Sequence, residues 1–122
     1  MVGIVVVSHS KLLAEGVVDL VRMTSKKVKI VPAGGLENGD YGTSYDLINK
    51  AIDEVYSEDG VIIFADLGSS IMTSEMIVEE RNDERIILSK VGIVEGAFAA
   101  SIYAENNMPL QDIIKMINNE NK

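Results

Sequence analysis

Apolar positions along this chain fall into short continuous runs and helically spaced stripes, in alternation. Val2-Gly3-Ile4-Val5-Val6-Val7 is an apolar run of strand length, ended by the polar Ser8-His9-Ser10. Beyond it, Leu12, Leu13, Val17, Leu20 and Val21 recur at helical spacing, which predicts a helix over Lys11–Met23. Val28-Lys29-Ile30-Val31 reads as a second strand, stopped by Pro32-Ala33-Gly34-Gly35, and a glycine-rich polar loop continues to Gly42. Thr43 or Ser44 can cap the next helix, which carries Leu47, Ile48, Ala51, Ile52 and Val55. Val61-Ile62-Ile63-Phe64-Ala65 has the pattern of a central strand buried on both faces. Asp66-Leu67-Gly68-Ser69-Ser70 follows it, before a helix carrying Ile71, Met72, Met76 and Ile77. Arg85–Ser89 is a fourth strand; helices then fit Val94–Glu105 and Pro109–Asn118, the latter with Pro109 in a favoured first-turn position. Asn118–Lys122 reads as a frayed end.

Strand–helix alternation with short links predicts an open, mostly parallel α/β sheet covered by helices on both faces, as one domain over residues 1–122. At 47% apolar content a chain of 122 residues can fill one core, mainly with aliphatic side chains. The lack of cysteine excludes a disulfide scaffold and a thiolate zinc site, and a single histidine excludes an imidazole-rich metal centre within one chain. A net charge of −8 argues against nucleic acid and anionic membranes as partners. No stretch approaches membrane-spanning length, and the opening apolar run, with no basic leader, is too short for a signal peptide. The expectation is a soluble, cytoplasmic protein.

The one histidine, His9, lies at the carboxyl end of the first strand, the edge where open α/β sheets keep their chemistry. Were the first and third strands neighbours, Asp66 would approach it. A carboxylate on one ring nitrogen fixes the tautomer, leaves the other nitrogen's lone pair available, and stabilises positive charge developing on the ring. Gly68, Ser69 and Ser70 open a helix, so their N–H groups and hydroxyls suit a tetrahedral oxyanion, and Ser10 at the start of the first helix can contribute similarly. Phosphate is the natural guest.

Each feature also has a plain structural use. His9 can fill a polar rim, Asp66 can cap a helix, and Gly68-Ser69-Ser70 can be only a tight turn. The Gly34–Gly42 loop lacks a phosphate-loop lysine and the dinucleotide fingerprint. Met72 and Met76 read first as core filling, second as an adaptable docking rim, and Glu79–Glu84 as a solvated helix end. Convergence of separate loops, rather than any one residue, favours a phosphoryl site.

Gly3-Ile4-Val5-Val6-Val7-Ser8-His9-Ser10 and Phe64-Ala65-Asp66-Leu67-Gly68-Ser69-Ser70 resemble the mannose-type enzyme IIA family of the phosphoenolpyruvate phosphotransferase system. Ala33-Gly34-Gly35 and Gly42-Thr43-Ser44 resemble in particular its branch serving bacterial dihydroxyacetone kinases. Sugar-transport members usually carry Asp-x-x-Gly-Gly-Ser-Pro after the third strand, whereas Asp66-Leu67-Gly68-Ser69-Ser70-Ile71 here favours the dihydroxyacetone branch.

The resemblance implies a four-stranded parallel sheet ordered 2-1-3-4 and a homodimer. It implies phosphorylation of His9 on Nε2, orientation of the ring by Asp66 through Nδ1, and Thr43 and Ser69 near the phosphoryl group. The implied donor is the phosphohistidine of the phosphocarrier protein HPr. The implied acceptor is ADP on the nucleotide-binding kinase subunit DhaL, with DhaK in the wider complex. ADP would be rephosphorylated in place and used on dihydroxyacetone. This chain would bind no cofactor, since nucleotide and magnesium sit on the partner. Some longer relatives fuse phosphocarrier and enzyme I-like domains, so the expectation here is a borrowed donor. The alternatives are a mannose- or fructose-type transport component and a non-enzymatic regulatory module of the same fold; a self-contained nucleotide-binding enzyme ranks last.

Overall fold

A computed structural model describes residues 1–121. Its elements, in chain order, are β1 (Gly3–Ser8), α1 (Lys11–Arg22), β2 (Ile30–Gly34), α2 (Tyr45–Val55), β3 (Val61–Ala65), α3 (Gly68–Arg81), β4 (Ile86–Leu88), α4 (Ile93–Glu105) and α5 (Leu110–Glu120). The four strands are parallel in the order β2-β1-β3-β4, as expected. Alternation along the central strands divides the core. Ile4, Val6, Ile62 and Phe64 pack with α1, α4 and α5, while Val5, Val7, Ile63 and Ala65 pack with α2 and α3. Both faces are covered, which is why these strands read as continuous apolar runs rather than alternating ones.

β1 and β3 lie side by side, with Val7 opposite Ala65, and the chain leaves their carboxyl ends toward opposite neighbours. The crevice at this reversal of strand order is where ligands of open α/β sheets bind.

Several boundaries differ from the sequence pattern. β2 begins two residues later than Val28 and runs through Pro32 to Gly34. Proline is tolerated because β2 is an edge strand, where a missing N–H can face away from the sheet. Val28 is buried all the same, and its N–H, with those of Lys26 and Lys27, donates to the Glu105 carboxylate, tying the α1–β2 loop to the end of α4. Pro109 is the cap rather than the first residue of α5. That helix does not fray at Asn118: Ile117 is buried and Asn121 Nδ2 donates to its carbonyl at 2.8 Å. Lys122, the last residue of the expected frayed end, lies outside the described residues.

α3 departs most from its pattern. Its buried positions are Ser70, Ser74 and Ile77, whereas Met72 and Met76 are 70% and 46% exposed, so the core-filling reading of the methionines is corrected. Small serines meet the sheet, and the large flexible side chains face outward. Nor is Glu79–Glu84 merely solvated. Arg81 donates to Asn49 of α2 and pairs with Asp53 at 3.0 Å, Tyr45 donates to Glu80, and Tyr56 donates to Asp83. α2 and α3 share one face of the sheet, which brings together groups that are remote in sequence.

Two helix glycines make opposite demands. A Cβ on Gly96 would lie 2.5 Å from the fully buried Phe64 ring, so glycine is what lets α4 approach β3. A Cβ on Gly16 of α1 would meet nothing within 4 Å. Gly96→Ala is therefore expected to destabilise the protein by about 1–3 kcal/mol through overpacking. Gly16→Ala is expected to stabilise it by roughly 1 kcal/mol through helix propensity. Urea unfolding midpoints at unchanged slope test both.

Candidate active site

His9 follows β1 directly and Asp66 follows β3 directly, so strand pairing brings together two residues far apart in sequence. The ladder continues into the site: the Asp66 N–H donates to the Val7 carbonyl at 3.2 Å. The His9 ring is about a third exposed and the Asp66 side chain is 10% exposed, so a half-open imidazole rests on a nearly covered carboxylate.

Asp66 Oδ1 accepts from His9 Nδ1–H at 3.1 Å and from the Leu67 N–H at 2.8 Å. Oδ2 accepts from Ser8 Oγ at 2.8 Å and from the His9 N–H at 3.2 Å. Partial burial by itself would raise the Asp66 pKa, but the hydrogen bonds from Ser8, the His9 ring and the two backbone N–H groups outweigh it and hold the carboxyl below its ordinary value. An ionised carboxylate only accepts, so the ring proton is assigned to Nδ1 and the lone pair to Nε2.

The hydroxyls around the ring complete a directed circuit. Ser70 Oγ lies 3.1 Å from Nδ1, Thr43 Oγ1 lies 3.1 Å from both Ser70 Oγ and Ser69 Oγ, and Ser69 Oγ lies 2.5 Å from Nε2. With the proton on Nδ1, Ser69 O–H must donate to Nε2, Thr43 to Ser69, and Ser70 to Thr43. Every hydroxyl then points its proton toward the Nε2 side, where an incoming anion would receive it.

Thr43 reaches this circuit because Ser44 takes the cap of α2, accepting from the Leu47 N–H at 3.1 Å. The glycine-rich loop delivers it: the Gly35 N–H donates to the Ser8 carbonyl and the Gly42 N–H to the His9 carbonyl, both at 3.0 Å. Gly35 (φ 68°) and Gly42 (φ 148°) hold backbone conformations that side chains disfavour, which is what this return path requires.

The site residues read from the sequence thus fall into three groups. His9, Asp66, Thr43, Ser69 and Ser70 converge. Gly68 opens α3, whose N-cap Leu67 offers no side-chain acceptor, so the first-turn N–H groups face the site uncapped by any side chain. Ser10 instead caps α1, accepting from the Leu13 N–H at 3.2 Å, and makes no hydrogen bond to the ring. Asp66 does not cap a helix. Sequence reading overlooked Ser8: fully buried, it donates to Asp66 and accepts from the Ser10 N–H at 3.0 Å, bracing carboxylate and turn together. A hydroxyl ending an otherwise apolar strand beside the histidine was the available signal.

His9 sits on open surface. A concavity of about 610 Å³ lies at the opposite, amino edge of the strands, lined by Met1, Glu58, Arg85 and Leu110 among others, and includes none of these groups. Among the described residues there is no cluster of three or more histidine or acidic side chains able to hold a metal, and no helix long and apolar enough to cross a membrane.

Fold and site together define a parallel α/β domain with a carboxylate-oriented histidine at the reversal of its strand order. The chain belongs to the mannose-type enzyme IIA family: residues 3–117 match the family described as the PTS system fructose IIA component. It is 46% identical over 99 residues to the phosphoryl donor subunit DhaM of PEP-dependent dihydroxyacetone kinase 1 of Listeria innocua, covering 81% of this chain and 78% of that one. It is 41% identical over 103 residues to the phosphotransferase subunit DhaM of the PTS-dependent dihydroxyacetone kinase of Lactococcus lactis, covering 84% and 82%. Among solved structures, that of the unknown-function protein EF1359 superposes with a TM-score of 0.83 at 31% identity, covering 97% of this chain and 93% of the other. The family read from the sequence blocks is the family found.

Asp66→Asn offers an amide N–H as well as a carbonyl to Nδ1, so the ring is expected to lose its single tautomer; ¹⁵N spectra of His9 at neutral pH should shift from one form to a mixture. A carboxyl whose folded pKa lies below its ordinary 3.8 contributes stability that is present above that value and lost as the pH falls through the folded value. Acid titration of unfolding stability should therefore fall more steeply below about pH 4 in the parent than in Asp66→Asn.

Proposed function

We propose that this chain is a phosphohistidine relay, the phosphotransferase subunit of a phosphoenolpyruvate-dependent dihydroxyacetone kinase. The observation that carries the reading is the Nε2 lone pair of His9, half-open to solvent, with its tautomer set by Asp66 and its surroundings furnished with Ser69, Thr43, Ser70 and the start of α3. The two relatives that share 41% and 46% of aligned residues with this chain support the choice of pathway.

In this reading the lone pair of Nε2 forms a bond to phosphorus as the N–P bond of phospho-HPr breaks, and the electron pair returns to the donor's imidazole. Positive charge developing on the ring is met by Asp66 through Nδ1–H. Ser69 rotates its proton from Nε2 to a phosphoryl oxygen, with Thr43 and the N–H groups of Gly68, Ser69 and Ser70 completing the cradle. The N–P bond on His9 then breaks as ADP on the DhaL subunit attacks, with DhaK holding dihydroxyacetone in the wider complex. Nucleotide and magnesium belong to the partner, and this chain binds no cofactor. The reading includes a cytoplasmic location and a homodimer.

Incubation with phosphoenolpyruvate, enzyme I and HPr is expected to label the protein in an acid-labile, alkali-stable form, and to transfer the label to ADP-loaded DhaL. His9→Ala should take up no label; label persisting there would remove His9 from the reaction. Asp66→Ala should fold and accept label on the order of 100-fold more slowly. Label that passes to a sugar permease component and not to ADP would favour the transport reading, which the family's fructose IIA description keeps in view.

A further inference from the structure

Ser8 is the last residue of β1 and is fully buried, a hydroxyl at the end of a strand that Val5, Val6 and Val7 keep apolar. The register that pairs Val6 with Phe64 and Val7 with Ala65 brings Ser8 level with Asp66. Ser8 Oγ accepts from the Ser10 N–H at 3.0 Å and donates to Asp66 Oδ2 at 2.8 Å. Accepting from the residue two ahead is a common local use of serine at a turn. Donating to a carboxylate 58 residues away is not a local matter. Among the described residues Asp66 has four donors, and Ser8 is the one that the sequence selects. Two of the others are backbone N–H groups that any residue but proline supplies, and the last is the ring being oriented. Ser8 is also the short bond on Oδ2, since the His9 N–H lies at 3.2 Å, the long end of the N–H···O range.

We propose that Ser8 is a positioning residue of the relay: by holding Oδ2 it stops the Asp66 carboxylate turning about Cβ–Cγ and keeps Oδ1 on His9 Nδ1. This rests on the phosphohistidine reading. A carboxylate held firmly at both oxygens has one orientation; held at one, it can swing. Nδ1 would then be left against Ser70 Oγ, 3.1 Å away, and a hydroxyl donates as readily as it accepts. Nothing would confine the proton to Nδ1. Burial works in the same direction. It favours the neutral acid, and of the hydrogen bonds that offset it the one from Ser8 counts most. The His9 ring is the only titratable group hydrogen-bonded to Asp66 among the described residues, so no other charge takes over from Ser8. Both transfers use the ring state that Ser8 protects. In uptake the Nε2 lone pair bonds to phosphorus as the donor's N–P bond breaks, and the donor's ring keeps the electron pair. In release the Nε2–P bond breaks as an acceptor oxygen bonds to phosphorus, and the pair returns to Nε2. The ring leaves as neutral imidazole only because Nδ1 has kept its proton.

The test compares the full-length parent with Ser8→Ala and Ser8→Thr, with spectra taken on the unphosphorylated proteins. Ser8→Ala is expected to raise the titration midpoint of Asp66, read from its carboxyl ¹³C shift. It should also turn the ¹⁵N spectrum of His9 at neutral pH from one tautomer into a mixture. Uptake from phospho-HPr, and from phosphoramidate, a small molecule that needs no docking, should both slow by about tenfold. Ser8→Thr keeps the hydroxyl and should recover most of each loss. In an Asp66→Asn background Ser8→Ala should slow uptake little further, because it acts through that carboxylate. A single Nδ1–H tautomer with parent uptake in folded Ser8→Ala would overturn the proposal. So would equal losses in Ser8→Ala and Ser8→Thr, which would assign the effect to packing, or the whole loss recurring in the Asp66→Asn background. If Ser8→Ala fails to fold, Ser8→Cys, whose thiol is a weak donor, takes its place with the same expected directions. Failure of both sources to label the parent would instead sink the relay reading, and the two spectra would still decide the role of Ser8.

Discussion

The carboxylate of Asp66 ties the ends of the two central strands together, and the rest of the site takes its geometry from that tie. Its two oxygens receive four donors: the Ser8 hydroxyl, the N–H groups of His9 and Leu67, and the His9 ring. Three come from the last residue of β1 and the turn after it and one from the turn after β3, so the carboxylate closes the crevice that the strand order opens. It is nearly covered yet remains ionised, because hydrogen bonds to the charged form outweigh the cost of burial. Ionisation in turn determines the ring tautomer. One interaction thus links sheet topology to the availability of a lone pair.

A second layer follows from that tautomer. Once Nδ1 carries the proton, the hydroxyls of Ser70, Thr43 and Ser69 have one consistent orientation, ending on Nε2. Hydroxyl protons rotate at little cost, so the same groups can donate to Nε2 at rest and turn toward an anion when one arrives. The elements that bring the three hydroxyls together are unlike: Thr43 ends a loop pinned by glycine N–H groups, whereas Ser69 and Ser70 begin a helix. Their meeting depends on α2 and α3 lying on the same face of the sheet, which the Arg81, Tyr45 and Tyr56 contacts between α2 and the far end of α3 reinforce.

The surface around the site also has a division of labour. α3 turns serines inward and methionines outward, and α1 turns Ala14, Val17 and Val21 inward while leaving Leu12, Leu20 and Met23 at the surface. These side chains stay outside because α1 turns only one face to the sheet. Helical periodicity alone cannot make that distinction. Both faces of α1 carry apolar residues, and only packing separates the buried stripe from the exposed one.

By itself the sequence determined the succession of elements, the parallel α/β class, and the location of His9 and Asp66 at strand ends. These are local consequences of hydrophobic runs, helical spacing and turn chemistry, which one stretch of chain expresses without reference to another. Family blocks around both residues carried the reading to strand order and chemistry. Tertiary structure decided what depends on neighbours: that Pro32 lies within an edge strand, that Ser44 rather than Thr43 caps α2, that Ser10 caps α1, and that buried Ser8 braces Asp66. A serine's hydroxyl is equally suited to a cap, a brace or a ligand, and only the acceptors that folding brings within reach choose among them.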